Sequence, residues 1–130
     1  MPTVTDLMAR VNEECNRFPY VADPAAFDDW RPGDENGSDC DSYAVAKLRR
    51  LVAAGIPVES LRLACVYVET GEYHAVLIVE TSEGSFMLDN RKPYPVPVLD
   101  LDVLGYTPDR IQEFGGSSEW VRWKGNEAMK

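Results

Sequence analysis

A chain of 130 residues, 45% hydrophobic and 27% charged, has the composition of a globular protein with one moderate core, and residues 1–130 are expected to form a single domain. A net charge of −9 leaves no basic patch to neutralise phosphates, which argues against nucleic acid and anionic membrane surfaces as partners and suits cationic substrates or metal ions better. No apolar stretch approaches the roughly 20 residues of a bilayer span, so no membrane insertion is expected.

The N-terminal "MPTVTDLMARVNEEC" carries neither a basic n-region nor a continuous apolar h-region, so no secretory signal is read there, and the expected location is cytoplasmic or released. Val4, Leu7, Met8, Val11 and Cys15 recur at spacings of three and four, which predicts a helix over about 3–17 with Thr3 or Thr5 as N-cap. The next stretch, "RFPYVADPAAFDDWRPGDENG", is broken by proline and glycine and reads as a long surface loop with Phe18, Tyr20, Phe27 and Trp30 turned inward.

Ala44, Val45, Leu48, Leu51 and Val52 make a second helical stripe over 41–54, ended by Gly55 and Pro57. Ser38 or Asp39 is the natural N-cap, which puts Cys40 in the opening turn, where backbone N–H groups point outward and the helix dipole is positive. Three β-rich runs follow at 61–69, 74–81 and 85–90, separated by short glycine-bearing turns, and predict an antiparallel meander. "RKPYPVPV" is extended but unsuited to a central strand. In the tail, "GYTPDR" and "GGSS" read as turns and "EWVRW" as a last strand.

Three cysteines at wide spacing, with no C-x-x-C, indicate neither a disulfide framework nor a zinc knuckle. Cys15 lies on an apolar helix stripe and Cys65 within an apolar strand, so both read as core thiols. Cys40, at a helix N-terminus, is placed to ionise and act as a nucleophile. His74 is the only histidine, and so the only candidate for a histidine base. If Ser82 and Glu83 form the hairpin loop, Val76 faces Asp89, and Asp89 lies diagonally across from His74 on the same face, with Cα atoms roughly 7–8 Å apart. A Cys40–His74–Asp89 triad is one inference from this pattern. The residues alone leave open that His74 is a strand-end surface residue and Asp89 a turn residue, or that the three share a zinc ion, for which no fourth ligand is apparent.

The stretches "VNEECNRFPYVAD", "DDW", "SDCDSYAVAKLRRLVAAGIPVESLRL", "EYHAVLIVET" and "MLDN" resemble, in order and spacing, the bacterial transglutaminase-like cysteine peptidases, the group containing the LapG-type periplasmic proteases. The resemblance covers roughly residues 11–91. It implies an α+β fold of the papain-like or transglutaminase-like kind, with the cysteine helix packed on an antiparallel sheet. Cys40 would be the nucleophile, His74 the general base and then acid, and Asp89 the orienting carboxylate, acting on a protein or peptide substrate. It further implies calcium held by the acidic residues flanking the cysteine, Asp39 and Asp41. Calcium takes several hard oxygen ligands, which Asp34, Glu35 and Asn36 in the preceding loop could add, and the alternative is a solvated acidic loop that only caps the helix. Such an ion would explain the setting of the thiol. Two bare carboxylates would oppose its ionisation, and a divalent cation between them reverses the local field. Ser38, Asp41 and Ser42 depart from the family's G-D-C-E-D-Y-A pattern at the positions that bear on the metal. For the oxyanion, the Cys40 backbone N–H and the Trp30 indole are the candidate donors. The same site with another acyl acceptor would be a transglutaminase or deamidase, and a chain keeping only the fold would be a non-catalytic, calcium-responsive interaction domain.

Overall fold

A computed structural model describes residues 3–17 and 40–125, the side chains of 40–42 excepted. Helix α1 (Val4–Asn16) starts where the sequence signals it: the Thr3 hydroxyl accepts from the Asp6 N–H at 3.1 Å, and the Asp6 carboxylate accepts from the Thr3 N–H at 3.2 Å. Helix α2 (Cys40–Ala53) ends in a Schellman arrangement around Gly55, φ 101°, with Ile56 N–H donating to Leu51 C=O at 3.0 Å and Gly55 N–H to Val52 C=O at 3.0 Å. The loop side chains Phe18, Tyr20, Phe27 and Trp30, expected inward, lie outside the described residues.

Six antiparallel strands follow: β1 (Leu61–Tyr67), β2 (Tyr73–Thr81), β3 (Gly84–Leu88), β4 (Val96–Pro97), β5 (Thr107–Gln112) and β6 (Trp120–Arg122). A short helix, α3 (Leu101–Leu104), separates β4 from β5. The sheet order is β4-β3-β2-β1-β5-β6. The β1–β2–β3 meander and the last strand match the sequence reading, and the proline-rich segment contributes only the short edge strand β4. The segment read as a turn at "GYTPDR" is instead the start of β5. It pairs with β1 through a register shift between Cys65 and Val66, so Pro108 joins the sheet at an irregularity where its missing N–H disturbs the ladder least.

The two faces of the sheet are distinguished by alternation. Leu77, Val79 and Leu88 pack with Met8, Val11, Cys15, Ala44 and Leu51 of the helices. Val76, Ile78 and Met87 point the other way, into a second cluster with Leu101, Tyr106, Ile111 and Trp123. Full burial of each such aliphatic side chain stabilises the fold by roughly 1.5–3 kcal/mol. Helix α2 lies against β2, so the helix that begins at Cys40 is docked on the strand that begins beside His74. The architecture is α+β, with three α-helices and a six-stranded antiparallel sheet among the described residues.

Candidate active site

The β2–β3 hairpin sets the first relationship. Thr81 pairs with Gly84, so Ser82 and Glu83 are its two-residue loop, and the register runs on to Leu77 opposite Leu88. One step further, Val76 falls opposite Asp89 and His74 diagonal to it. The side chains meet: His74 Nε2 and Asp89 Oδ1 are 2.6 Å apart, with side-chain exposures of 8% and 0%.

Three donors converge on the Asp89 carboxylate. The Tyr106 hydroxyl donates to Oδ2 at 2.6 Å, and the Arg91 backbone N–H donates to Oδ1 at 2.9 Å, beside His74. The Tyr106 oxygen in turn accepts from Arg91 Nη1 at 3.0 Å, so its single proton is directed at Asp89. The guanidinium is held by Glu69 through contacts of 2.9 and 2.5 Å. Burial pushes the Asp89 carboxyl up, but the hydrogen bond and charge of His74, with Tyr106 and the Arg91 N–H, outweigh it and hold the group below its ordinary value. Burial and the neighbouring Asp89 push the Tyr106 phenol up, so it stays protonated. An ionised Asp89 only accepts, which makes His74 Nε2 the proton-bearing nitrogen and turns Nδ1 to the other side of the ring.

The main chain around Asp89 is fixed from α1. Asn16 Nδ2 donates to the Asp89 carbonyl at 3.1 Å and to the Lys92 carbonyl at 2.9 Å, and Asn12 Nδ2 donates to the Lys92 carbonyl at 3.0 Å. Lys92 N–H closes the turn on the Asp89 carbonyl at 3.1 Å. Tyr106 is delivered by the end of α3: Gly105, at φ 80°, reverses the chain, and Tyr106 N–H donates to Leu101 C=O at 3.0 Å. A Cβ at Gly105 would stand 3.1 Å from Glu69 Cβ, so the turn also lies against the residue that holds Arg91.

Cys40 is the first residue of α2, as its capping pattern implied. Its side chain, like that of Asp41, lies outside the described residues, as do Asp39, Trp30 and the loop residues Asp34, Glu35 and Asn36. Cys15 and Cys65 are buried, at 0% and 4% exposure, as core thiols should be. Asn90 Oδ1 is buried with no hydrogen-bond partner among the described residues, and the strand end is braced by Arg91, Tyr106 and Asn16. Sequence reasoning did not single out these three. The one available signal was the pair of amides at Asn12 and Asn16, four apart beside an apolar stripe. Among the described residues no group of three or more His, Cys, Asp or Glu side chains is placed to hold a metal, and no helix is long and apolar enough to cross a membrane.

Comparison with solved structures finds Legionella pneumophila LapG in its calcium-bound form, at 22% identity and a TM-score of 0.75, over 98% of this chain and 79% of that one. The EGTA-treated form of the same protein matches at 24% identity and a TM-score of 0.73, over 95% and 69% of the two chains. A further LapG structure matches at 26% identity and a TM-score of 0.68, over 84% and 63%. Comparison with curated proteins finds no significant match. The family model for the bacterial transglutaminase-like cysteine proteinases, BTLCP, matches residues 1–128, and the chain belongs to that family of cysteine proteinases.

Proposed function

We propose that the chain is a single peptidase domain that hydrolyses peptide bonds of a protein substrate, with Cys40 as nucleophile, His74 as proton carrier and Asp89 as the carboxylate that orients it. The observation that supports this best is the 2.6 Å contact of His74 with a buried, ionised Asp89 on a strand docked against the helix that opens at Cys40. His74 is the second residue of β2, the strand against which α2 packs.

In the reaction the thiol proton passes to His74 Nδ1 as sulfur bonds to the scissile carbonyl carbon. The imidazolium, steadied by Asp89, then gives that proton to the departing amine as the C–N bond breaks, leaving a thioester. Water attacks the thioester, its proton goes to Nδ1, and the C–S bond breaks to release the acid. The Cys40 backbone N–H and the Trp30 indole serve as donors to the oxyanion. Asp39 and Asp41 would hold calcium, and the ion when bound would supply the positive field that these carboxylates alone deny the thiolate. Their hard oxygen donors, with those of Asp34, Glu35 and Asn36, suit that ion.

The test is product analysis on a peptide library with a primary amine present. Hydrolysis that disappears in both Cys40→Ala and His74→Ala is expected. Amide adducts in place of hydrolysis would make the protein an acyltransferase, and no turnover together with an unreactive Cys40 would leave it a binding domain.

A further inference from the structure

The network behind His74 continues past Asp89 to the protein surface. Arg91 serves Asp89 twice: its backbone N–H donates to Oδ1 at 2.9 Å, and its Nη1 donates at 3.0 Å to the Tyr106 oxygen, whose own proton goes to Oδ2. Both ends of the guanidinium also reach Glu69, Nη1 to Oε1 at 2.9 Å and Nη2 to Oε2 at 2.5 Å, the two-pronged contact that a planar guanidinium makes with a carboxylate. Glu69 stands between β1 and β2, and a Cβ on Gly105, the residue before Tyr106, would lie 3.1 Å from Glu69 Cβ. Glu69, Arg91 and Tyr106 thus close a ring of contacts that ends on Asp89. The Arg91 and Glu69 side chains are 34% and 42% exposed, and an ion pair so open to water adds little to stability. Lys47, fully buried on α2, makes no hydrogen bond among the described residues, so Arg91 is the cation joined to Asp89 by bonded contacts.

We propose that Glu69 and Arg91 are positioning residues that act on His74 through Tyr106: the ion pair fixes the guanidinium, the guanidinium occupies the phenol oxygen, and the phenol pins the carboxylate that orients the imidazole. A phenol has one proton to give and lone pairs that accept. With Arg91 on the accepting side, the O–H is left for Asp89, and it is a stronger donor because hydrogen bonds in a chain polarise one another. A carboxylate pinned through Oδ2 cannot turn about its Cβ–Cγ bond, so Oδ1 stays on His74 Nε2, 2.6 Å away. Glu69 touches neither Asp89 nor His74 in this chain of bonds, and its influence on the imidazole passes through two intermediates.

The inference rests on the peptidase reading of His74 and Asp89, and its test reads a proton in place of cleavage. His74 is the only histidine in the chain, so its Nε2–H resonance in ¹H–¹⁵N NMR is unambiguous. The exchange of that proton with water is measured at pH 7 in a Cys40→Ala background, where neither cleavage nor the Cys40 thiol contributes. Tyr106→Phe is expected to speed exchange by about tenfold, the loss of one hydrogen bond to a buried charge. Arg91→Met, which keeps the backbone N–H to Asp89, should speed it by about threefold, the weakening of that same bond, and Glu69→Ala in the same direction by less. In a Tyr106→Phe background neither substitution should have any further effect, because the link they act through is gone. Arg91→Lys keeps the charge without the fork and should behave as Arg91→Met does. Exchange unmoved in Arg91→Met, an undiminished effect in the Tyr106→Phe background, or full protection in Arg91→Lys overturns the proposal. If Arg91→Met fails to give the amide spectrum of a folded chain, Glu69→Ala, alone and with Tyr106→Phe, makes the same test. Failure of the peptidase reading is separate: cleavage surviving Cys40→Ala refutes that reading whatever the exchange of the His74 proton shows.

Discussion

The Tyr106 hydroxyl and Asp89 Oδ2 are joined by a 2.6 Å hydrogen bond, so the carboxylate that meets His74 with one oxygen is anchored by a phenol with the other. The phenol cannot rotate its proton away, because its own oxygen accepts from Arg91. Tyr106→Phe removes the anchor and keeps the ring in the core. Loss of one hydrogen bond to a buried charge costs about 1.5–3 kcal/mol, so kcat/KM should fall by roughly ten- to a hundredfold. With a donor gone, the Asp89 carboxyl rises, and the acid limb of the kcat/KM profile should move to higher pH. A profile measured from pH 4 to 8 checks both.

Asp89→Asn tests the orienting role with almost no change of shape. The neutral amide presents a donor or an acceptor and can stabilise the wrong tautomer of His74, and it gives the imidazolium no counter-charge. By analogy with other base–carboxylate pairs, kcat should drop by roughly 10³–10⁴ with KM little changed. Single-turnover measurement of acyl-enzyme formation separates this from a binding defect.

Lys47 makes a prediction about stability that is independent of activity. Its ordinary value is 10.5 and its value in the fold is about 8. Between these the unfolded chain holds a proton that the folded chain has lost, so the Lys47 contribution to stability rises with pH across that window and is most unfavourable below about 8. The full span corresponds to about 3 kcal/mol. Lys47→Met should therefore unfold at higher urea than the unsubstituted protein at pH 7, with the gap closing toward pH 10.5. Paired urea titrations at pH 7 and 10 give the difference directly.

Calcium should speed alkylation of Cys40 at pH 7 by about tenfold, the effect of lowering a thiol by one pKa unit, and EGTA should reverse it. Asp39→Asn combined with Asp41→Asn should abolish the dependence on the ion. Site-resolved mass spectrometry after a timed iodoacetamide pulse measures it.

Much of this site is legible in the chain because it is built from local rules. The Ser82–Glu83 loop fixes the parity that puts His74 and Asp89 together, Thr3 marks the start of α1, and Gly55 marks the end of α2. Tyr106 was not legible. Its approach to Asp89 depends on β5 choosing the free edge of β1, a pairing across some 40 residues that no periodicity encodes, and Pro108 disguised that strand as a turn. Lys47 was hidden for a similar reason: within "AVAKLRR" it looks like one more solvated base, and only tertiary packing withdraws it from water.

The most direct measurement is the alkylation rate of each cysteine in the folded protein at neutral pH. If Cys40, His74 and Asp89 act together, Cys40 reacts at least tenfold faster than buried Cys15 or Cys65, and His74→Ala removes most of that advantage. Equal rates at Cys40 and Cys65, or a fast Cys40 indifferent to loss of the imidazole, would contradict the account.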